Sequence, residues 1–364
     1  MKVIYSCIGW FRRKICATVL AGVRDRLLDE IKEQSYSSSG CVVRKIFFRS
    51  GMKVTQDDKM IRQGLSFIKM HGLGNDYIYI DRFAESALFD PAALARVLAD
   101  RHRGIGGDGL ILVEPSKKAV ARMRMFNADG SESEMCGNGV RCVGHIVVSR
   151  GYAAVGNLTI ETGRGILGLV VSPSDSRLSQ VRVDMGQPFL EPADIPVDSS
   201  LMNGPVIDSV SAVIGKHSDW WDLARLDARM TCVSMGNPHA IFYCGDVEKV
   251  PLETVGPIIE NHSFFPHRVN VHFVECQSND RVKMVTWERG SGPTQACGTG
   301  ASAVCVAGRL TGRTDGTIRA ELPGGELELS WDGQGSVFMS GPAEEVFQGV
   351  WEGLVPRPAN SCVG

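Results

Sequence analysis

The chain has 364 residues, 43% of them hydrophobic and 22% charged, with 39 Lys and Arg against 41 Asp and Glu for a formal net charge of −2. That length is enough for about two domains of roughly 150 residues, with a core that needs neither disulfide staples nor a structural metal. The near-neutral balance excludes the basic excess of a nucleic-acid binder, and no apolar run approaches the roughly 18 residues of a membrane span.

The charge is unevenly spread. Residues 1–56 carry eleven basic and four acidic residues, a net +7, which leaves −9 for 57–364. A basic, acid-poor stretch with a serine run at 37–39 has the composition of an organelle transit peptide. A secretory signal fits less well, because Arg12, Arg13 and Lys14 interrupt the apolar stretch 3–11. Asp29, Glu30 and Glu33 leave open an amphipathic helix around 23–33 packed on the body.

Residues 66–81 (SFIKMHGLGNDYIYID) read as strand, glycine-rich turn and strand, with Tyr77 and Tyr79 alternating with Ile78 and Ile80. Residues 90–102 (DPAALARVLADRH) predict a helix, with Asp90 as N-cap, Pro91 in the first position and Leu94, Val97 and Leu98 on one face. GIGGDG at 104–109 satisfies the spacing of a dinucleotide-binding loop, but here a helix precedes and a strand follows. That is the reverse of the required order, so the glycines read as a tight helix-to-strand turn. Strands are expected at 110–114 and 122–126, then a buried helix over 140–148 stopped by Gly151. The Pro-, Ser- and Asp-containing stretch 188–205 is the best candidate for a domain boundary.

The eleven cysteines include no CxxC pair, so neither a disulfide framework nor a zinc site is signalled. Two of them belong to an internal repeat with a period near 161. Asn75 in GLGND matches Asn237 in MGNPH, Glu114 matches Glu275, Asn127 matches Glu288, Gly165 matches Gly325, and Cys136-Gly-x-Gly matches Cys297-Gly-x-Gly. Matches in register along the chain indicate a duplication. The expected fold is therefore α/β (α+β): two pseudo-symmetric domains, each a mostly antiparallel sheet or half-barrel around a central buried helix, with the site in the cleft between them. Residues 1–65 are expected to be the extension, 66–200 the first domain, 201–356 the second, with its last strands able to return to the first, and 357–364 a tail.

In each repeat the cysteine precedes an apolar helix. Backbone N–H groups and the positive end of the helix dipole should stabilise a thiolate there and lower its pKa. The same amides suit a carboxylate. Two such thiols flanking one carbon suggest a two-base inversion. One thiolate removes a proton, the opposing thiol delivers one to the other face, and the amides stabilise the charge that develops on the carboxylate.

HGLGNDY (71–77), RHRGIGGDG (101–109), FNADGSESEMCGNGVRC (126–142), MGNPH (235–239), RVNVHF (268–273) and TWERGSGPTQACGTGASA (286–303) resemble the diaminopimelate epimerase family over about 66–356. The resemblance implies interconversion of LL- and meso-diaminopimelate without pyridoxal phosphate or any other cofactor or metal, in lysine biosynthesis. It implies Cys136 and Cys297 as catalytic acid/base residues, and Gly137, Asn138, Gly298 and Thr299 as donors to the reacting carboxylate. Asn75, Asn127, Asn237, Asn270, Glu288 and Arg289 are implied in holding the substrate, with His239 and Glu288 tuning the thiols. A homodimer in the plastid stroma, free of nucleic acid and membrane, completes the implied picture, with the cytoplasm as the alternative if the extension is not a transit peptide. Some relatives carry a substrate-contacting Gln where this chain has Gly109, the repeat counterpart of Asn270. The competing readings are a proline racemase or hydroxyproline epimerase, for which Arg289 and several Asn would be superfluous, and a non-catalytic module binding metal through Cys136 and Cys142.

Overall fold

The computed structural model of the chain describes residues 60–358, apart from 88, 135, 199–203, 212 and 215–217. Most of the basic extension therefore lies outside the described residues. Strands in the first half are β1 (Met60–Arg62), β2 (Leu65–Gly72), β3 (Asn75–Asp81), β4 (Gly109–Glu114), β5 (Ala121–Asn127), β6 (Glu132–Ser133), β7 (Gly156–Thr162), β8 (Gly165–Pro173) and β9 (Leu178–Asp184). Those that follow are β10 (Ser209–Val210), β11 (Arg229–Ser234), β12 (Pro238–Cys244), β13 (Asn270–Ser278), β14 (Arg281–Glu288), β15 (Gly292–Pro293), β16 (Thr317–Leu322), β17 (Gly325–Ser330), β18 (Phe338–Trp351) and β19 (Leu354–Pro356). The helices are α1 (Pro91–Leu98), α2 (Gly137–Ser149), α3 (Asp219–Ala224), α4 (Leu252–Glu260) and α5 (Gly298–Thr311). Among the described residues no helix is long and apolar enough to cross a membrane.

The duplication is written into the strand pairing. β3 runs parallel to β4 with Tyr77 opposite Gly109, and β12 runs parallel to β13 with His239 opposite Asn270. The hairpins β5–β6 and β14–β15 pair Phe126 with Glu132 and Trp287 with Pro293, each shifted by 161. In the first half β2, β3, β4, β5, β7, β8 and β9 form a circuit that β18 closes by pairing with both β9 and β2. The second half runs β11, β12, β13, β14, β16, β17 to the start of β18, and a bridge between Phe189 and Ser234 joins its other edge to the segment after β9. Each half thus wraps a sheet around one helix.

Those helices are enclosed because their sequence is apolar on almost every face, which no helix tolerates in water. In α2 the residues Val140, Cys142, Val143, Ile146 and Val147 are buried, and in α5 Ala301, Ala303, Val304, Cys305, Val306 and Ala307. Each buried Val or Ile contributes about 1.5–3 kcal/mol of transfer free energy. α1 covers the outer face of the first half through Leu94, Ala95 and Leu98, and α4 covers that of the second through Val255 and Ile259.

One boundary differs from the sequence reading. α1 is capped by Asp90, which accepts from Ala92 and Ala93 N–H as expected, but it stops at Leu98. Asp100 draws the amides of His102 and Arg103 onto its own carboxylate, an Asx turn that competes with a further helical turn. Among the described residues, β1 pairs with β19 from Met60 to Arg62, with Ile61 packed against the outer core. The β2–β3 turn needs two left-handed residues, Leu73 at φ 60° and Gly74 at φ 79°, a two-residue hairpin connection that sets the register of Asn75.

Candidate active site

Cys136 and Cys297 are the N-cap residues of α2 and α5, in extended backbone conformation, and each helix starts at the following glycine. The hairpins β5–β6 and β14–β15 deliver the chain to these caps. Both cysteines line one cleft of about 1240 Å³, to which the two halves contribute. Asn75, Asn127, Gly137, Asn138, Asn237, Asn270, Glu288, Arg289, Gly298 and Thr299 line the same cleft. His239 lies one layer behind it, fully buried.

In the first half the Cys136 sulfur accepts from the Gly139 amide at 3.3 Å and lies 3.4 Å from Asn75 Oδ1, to which the thiol donates. Asn75 is oriented by Asp108, whose carboxylate accepts from Asn75 Nδ2 at 2.7 Å and from the Asp76 amide at 3.1 Å. Arg101 bridges Asp76 and Asp108 at 2.7 and 2.9 Å. Burial pushes the Asp76 carboxyl up, but hydrogen bonds from Arg101 and Lys69 outweigh it and hold it below the ordinary range. Asn138 Nδ2 donates to Asn75 Oδ1 at 3.3 Å and to the Ala296 carbonyl at 3.0 Å, which ties the first cap to the second half.

In the second half Cys297 Sγ lies 3.7 Å from Thr299 Oγ1, and Asn237 Nδ2 donates to that same oxygen at 3.2 Å. Asn270 Nδ2 donates to the Pro238 carbonyl at 2.8 Å, while its Oδ1 accepts from the Arg289 amide at 3.0 Å. Arg289 Nη1 donates to the His267 carbonyl at 3.1 Å. Glu288 accepts from Thr294 at 2.6 Å and is in hydrogen-bonding reach of Cys297. Asn127, its repeat counterpart, donates to Ser131 Oγ at 2.9 Å.

The thiols differ from expectation in one respect. Burial pushes both of them up; the amides of Gly139 and Asn138 pull Cys136 down, but by less, and Glu288 pushes Cys297 up further. The desolvation of a sulfur in this cleft outweighs the helix amides. Glu288 is itself held above the ordinary carboxylate range by burial, opposed by its bonds to Thr294 and Cys297.

Gly109 has a physical reason. A Cβ there would meet the Phe126 carbonyl at 2.1 Å, so the backbone of β5 fills the place of a side chain and Asp108 forms the wall instead. Asp108 and Arg101 lie in motifs visible in the sequence, yet only the pairing of β3 with β4 brings them to Asn75. Arg164, in the β7–β8 turn, also lines the cleft and reaches the second half, where a Cβ on Gly236 would meet its guanidinium at 2.3 Å. No local sequence signal marks it. Cys142 is buried on α2, six residues beyond Cys136, and burial raises its pKa to about 11.

The arrangement of two halves, each wrapping sheet around one helix, is a fold shared with solved structures of low sequence identity. A PhzF-family phenazine biosynthesis protein of Bacillus anthracis matches with a TM-score of 0.57 at 16% identity, over 79% of this chain and 99% of its own. A hydroxyproline epimerase from Agrobacterium vitis matches with a TM-score of 0.52 at 14% identity, over 80% and 92%. The diaminopimelate epimerase family model matches residues 67–190 and 231–346. The diaminopimelate epimerases of Leptospira biflexa and Desulforudis audaxviator are 46% and 48% identical over 288 residues, covering 78% and 79% of this chain and 98% and 99% of theirs. The chain belongs to the diaminopimelate epimerase family.

Proposed function

We propose that this chain epimerises LL-diaminopimelate to meso-diaminopimelate by a two-base mechanism, within lysine biosynthesis. The carrying observation is the pair of N-cap cysteines, one from each copy of the repeat, lining one cleft in a member of this family. One sulfur, as thiolate, takes the α-proton; the other, as thiol, gives a proton to the opposite face. Charge that develops on the α-carboxylate is stabilised by the amides of Gly137-Asn138 and Gly298-Thr299 at the two helix N-termini. Arg289, with its bidentate fork, and Asn75, Asn127, Asn237 and Asn270 hold the distal carboxylate and ammonium without a large excess of charge. His239 and Glu288 set the state of the thiols from behind. Residues 66–200 and 201–356 are the two domains in this reading.

A homodimer fits the exposed apolar side chains Val346, Phe347 and Val350 on β18, which a second copy would cover. The +7 leader supports import into the plastid. The test is solvent-deuterium incorporation at Cα of LL-diaminopimelate by reduced protein without pyridoxal phosphate. Exchange accompanied by meso product is expected. Active-site-intact, reduced protein that leaves the Cα hydrogen untouched would refute the assignment.

A further inference from the structure

Behind Asn237 a buried polar chain continues past His239 to side chains that the proposed reaction leaves unused. His239 Nε2 is 3.1 Å from Asn237 Oδ1, His239 Nδ1 is 2.9 Å from His272 Nε2, and His272 Nδ1 is 2.9 Å from Thr286 Oγ1. The three side chains come from adjacent strands β12, β13 and β14, and both imidazoles are 0% exposed. His272 fills the space directly under the first turn of α5, where a Cβ on Gly300 would meet its Cε1 at 2.3 Å.

The chemistry of the partners fixes the direction of every bond. Asn237 Oδ1 can only accept, so the His239 hydrogen sits on Nε2. Burial pushes His239 far below its ordinary range, helped by His272 and by the charges of Arg289 and Arg164, and burial pushes His272 down to about 3. Both rings are therefore neutral at physiological pH. His239 Nδ1 must then accept, His272 must donate from Nε2, and Thr286 must donate its hydroxyl to His272 Nδ1. Donation runs one way, from Thr286 through His272, His239 and Asn237 to Thr299. Asn237 occupies one of the two lone pairs of Thr299 Oγ1, and the hydroxyl proton is free to be donated to Cys297.

Among the described residues the first half contains no such chain. The repeat counterparts of His239, His272 and Thr286 are Tyr77, Ile111 and Met125. There Asp108 takes the amide end of Asn75 and leaves the carbonyl facing Cys136. Two asparagines related by duplication thus present opposite ends toward their cysteines.

We propose that His272 and Thr286 are positioning residues. They fix the tautomer of His239, and through it the amide of Asn237 and the hydroxyl of Thr299, so that a donor faces Cys297 when that sulfur is a thiolate. The proposal rests on Cys297 being one of the two acid/base residues. The other groups that face this sulfur are Glu288 from β14 and the Gly300 amide of α5.

Iodoacetamide alkylation of full-length reduced protein, followed for each cysteine by peptide mass spectrometry across pH, reads the thiols without turnover. Thr286→Val and His272→Phe are expected to move the Cys297 midpoint up by about one pH unit, the scale of one hydrogen bond to a charged acceptor. Cys136 should not move. Thr286→Ser and His272→Gln, which retain the donors, should restore the wild-type midpoint. An unmoved Cys297, or equal shifts at both cysteines, would overturn the proposal. Nitrogen-15 histidine spectra of the wild-type protein give an answer independent of any variant's folding. They should show both rings as neutral Nε2–H tautomers, and an Nδ1–H or doubly protonated ring at either position would overturn it. Wild-type protein with these signatures and no epimerase activity would refute the proposed function alone.

Discussion

Replacing Glu288 by Gln separates charge from shape at the second cysteine. Gln has the same length, and its Oε1 can still accept from Thr294, which Glu288 does at 2.6 Å. What is lost is a negative charge beside Cys297, and that charge pushes the thiol up. In general, a full charge about 4 Å from a thiolate at an effective dielectric near 20 disfavours it by ~4 kcal/mol. That corresponds to about three pKa units at ~1.4 kcal/mol each. That is an upper bound, and a drop of about one to two units is expected. The thiolate fraction grows with pH, so a lower thiol pKa moves the midpoint of Cys297 alkylation toward neutrality. The acidic limb of kcat/KM should follow it wherever Cys297 is the base. Alkylation resolved by peptide, with Cys136 as the internal control, checks this. A Cys297 midpoint that stays put or rises would show that Glu288 does not act as a charge on that sulfur.

Two further substitutions test the division of labour in the cleft. Cys136→Ser and Cys297→Ser should each lower the epimerisation rate by about two to four orders of magnitude, the usual worth of a positioned acid or base. Coupled assays for meso-diaminopimelate measure this, and substantial turnover in either variant would contradict two-base inversion. Arg164→Ala should raise KM by about tenfold with kcat nearly constant, as expected for loss of one charge-assisted contact made equally in ground and transition states. An unchanged KM would assign Arg164 to holding the two halves together instead.

Much of the fold was legible because it is periodic twice over. Alternation of Tyr77, Ile78, Tyr79 and Ile80 marks β3, the Asp90-Pro91 cap marks α1, and the offset of 161 marks the duplication. The position of a cysteine just before an apolar helix is a local property, so both N-caps could be read from the sequence. The helix end at Leu98 could not, because Asp100 competes through its side chain for amides that a further helical turn would use. The direction of the thiol shifts was missed for a different reason. Helix amides are visible in sequence, whereas desolvation depends on how completely two halves bury a sulfur.

What the sequence determined alone is the repeat, the two cysteines at helix starts, the family motifs and the division of charge between residues 1–56 and the rest of the chain. Each depends on residues close together in the chain or at a fixed period. Only the tertiary structure decided that β18 closes the first circuit rather than completing the second alone. It also turned Asn75 by Asp108 and Asn237 by a buried histidine pair, giving two equivalent asparagines opposite orientations. Such choices rest on contacts between strands distant in sequence and on the low dielectric of a buried site, where an unpaired polar atom costs more than any local preference supplies.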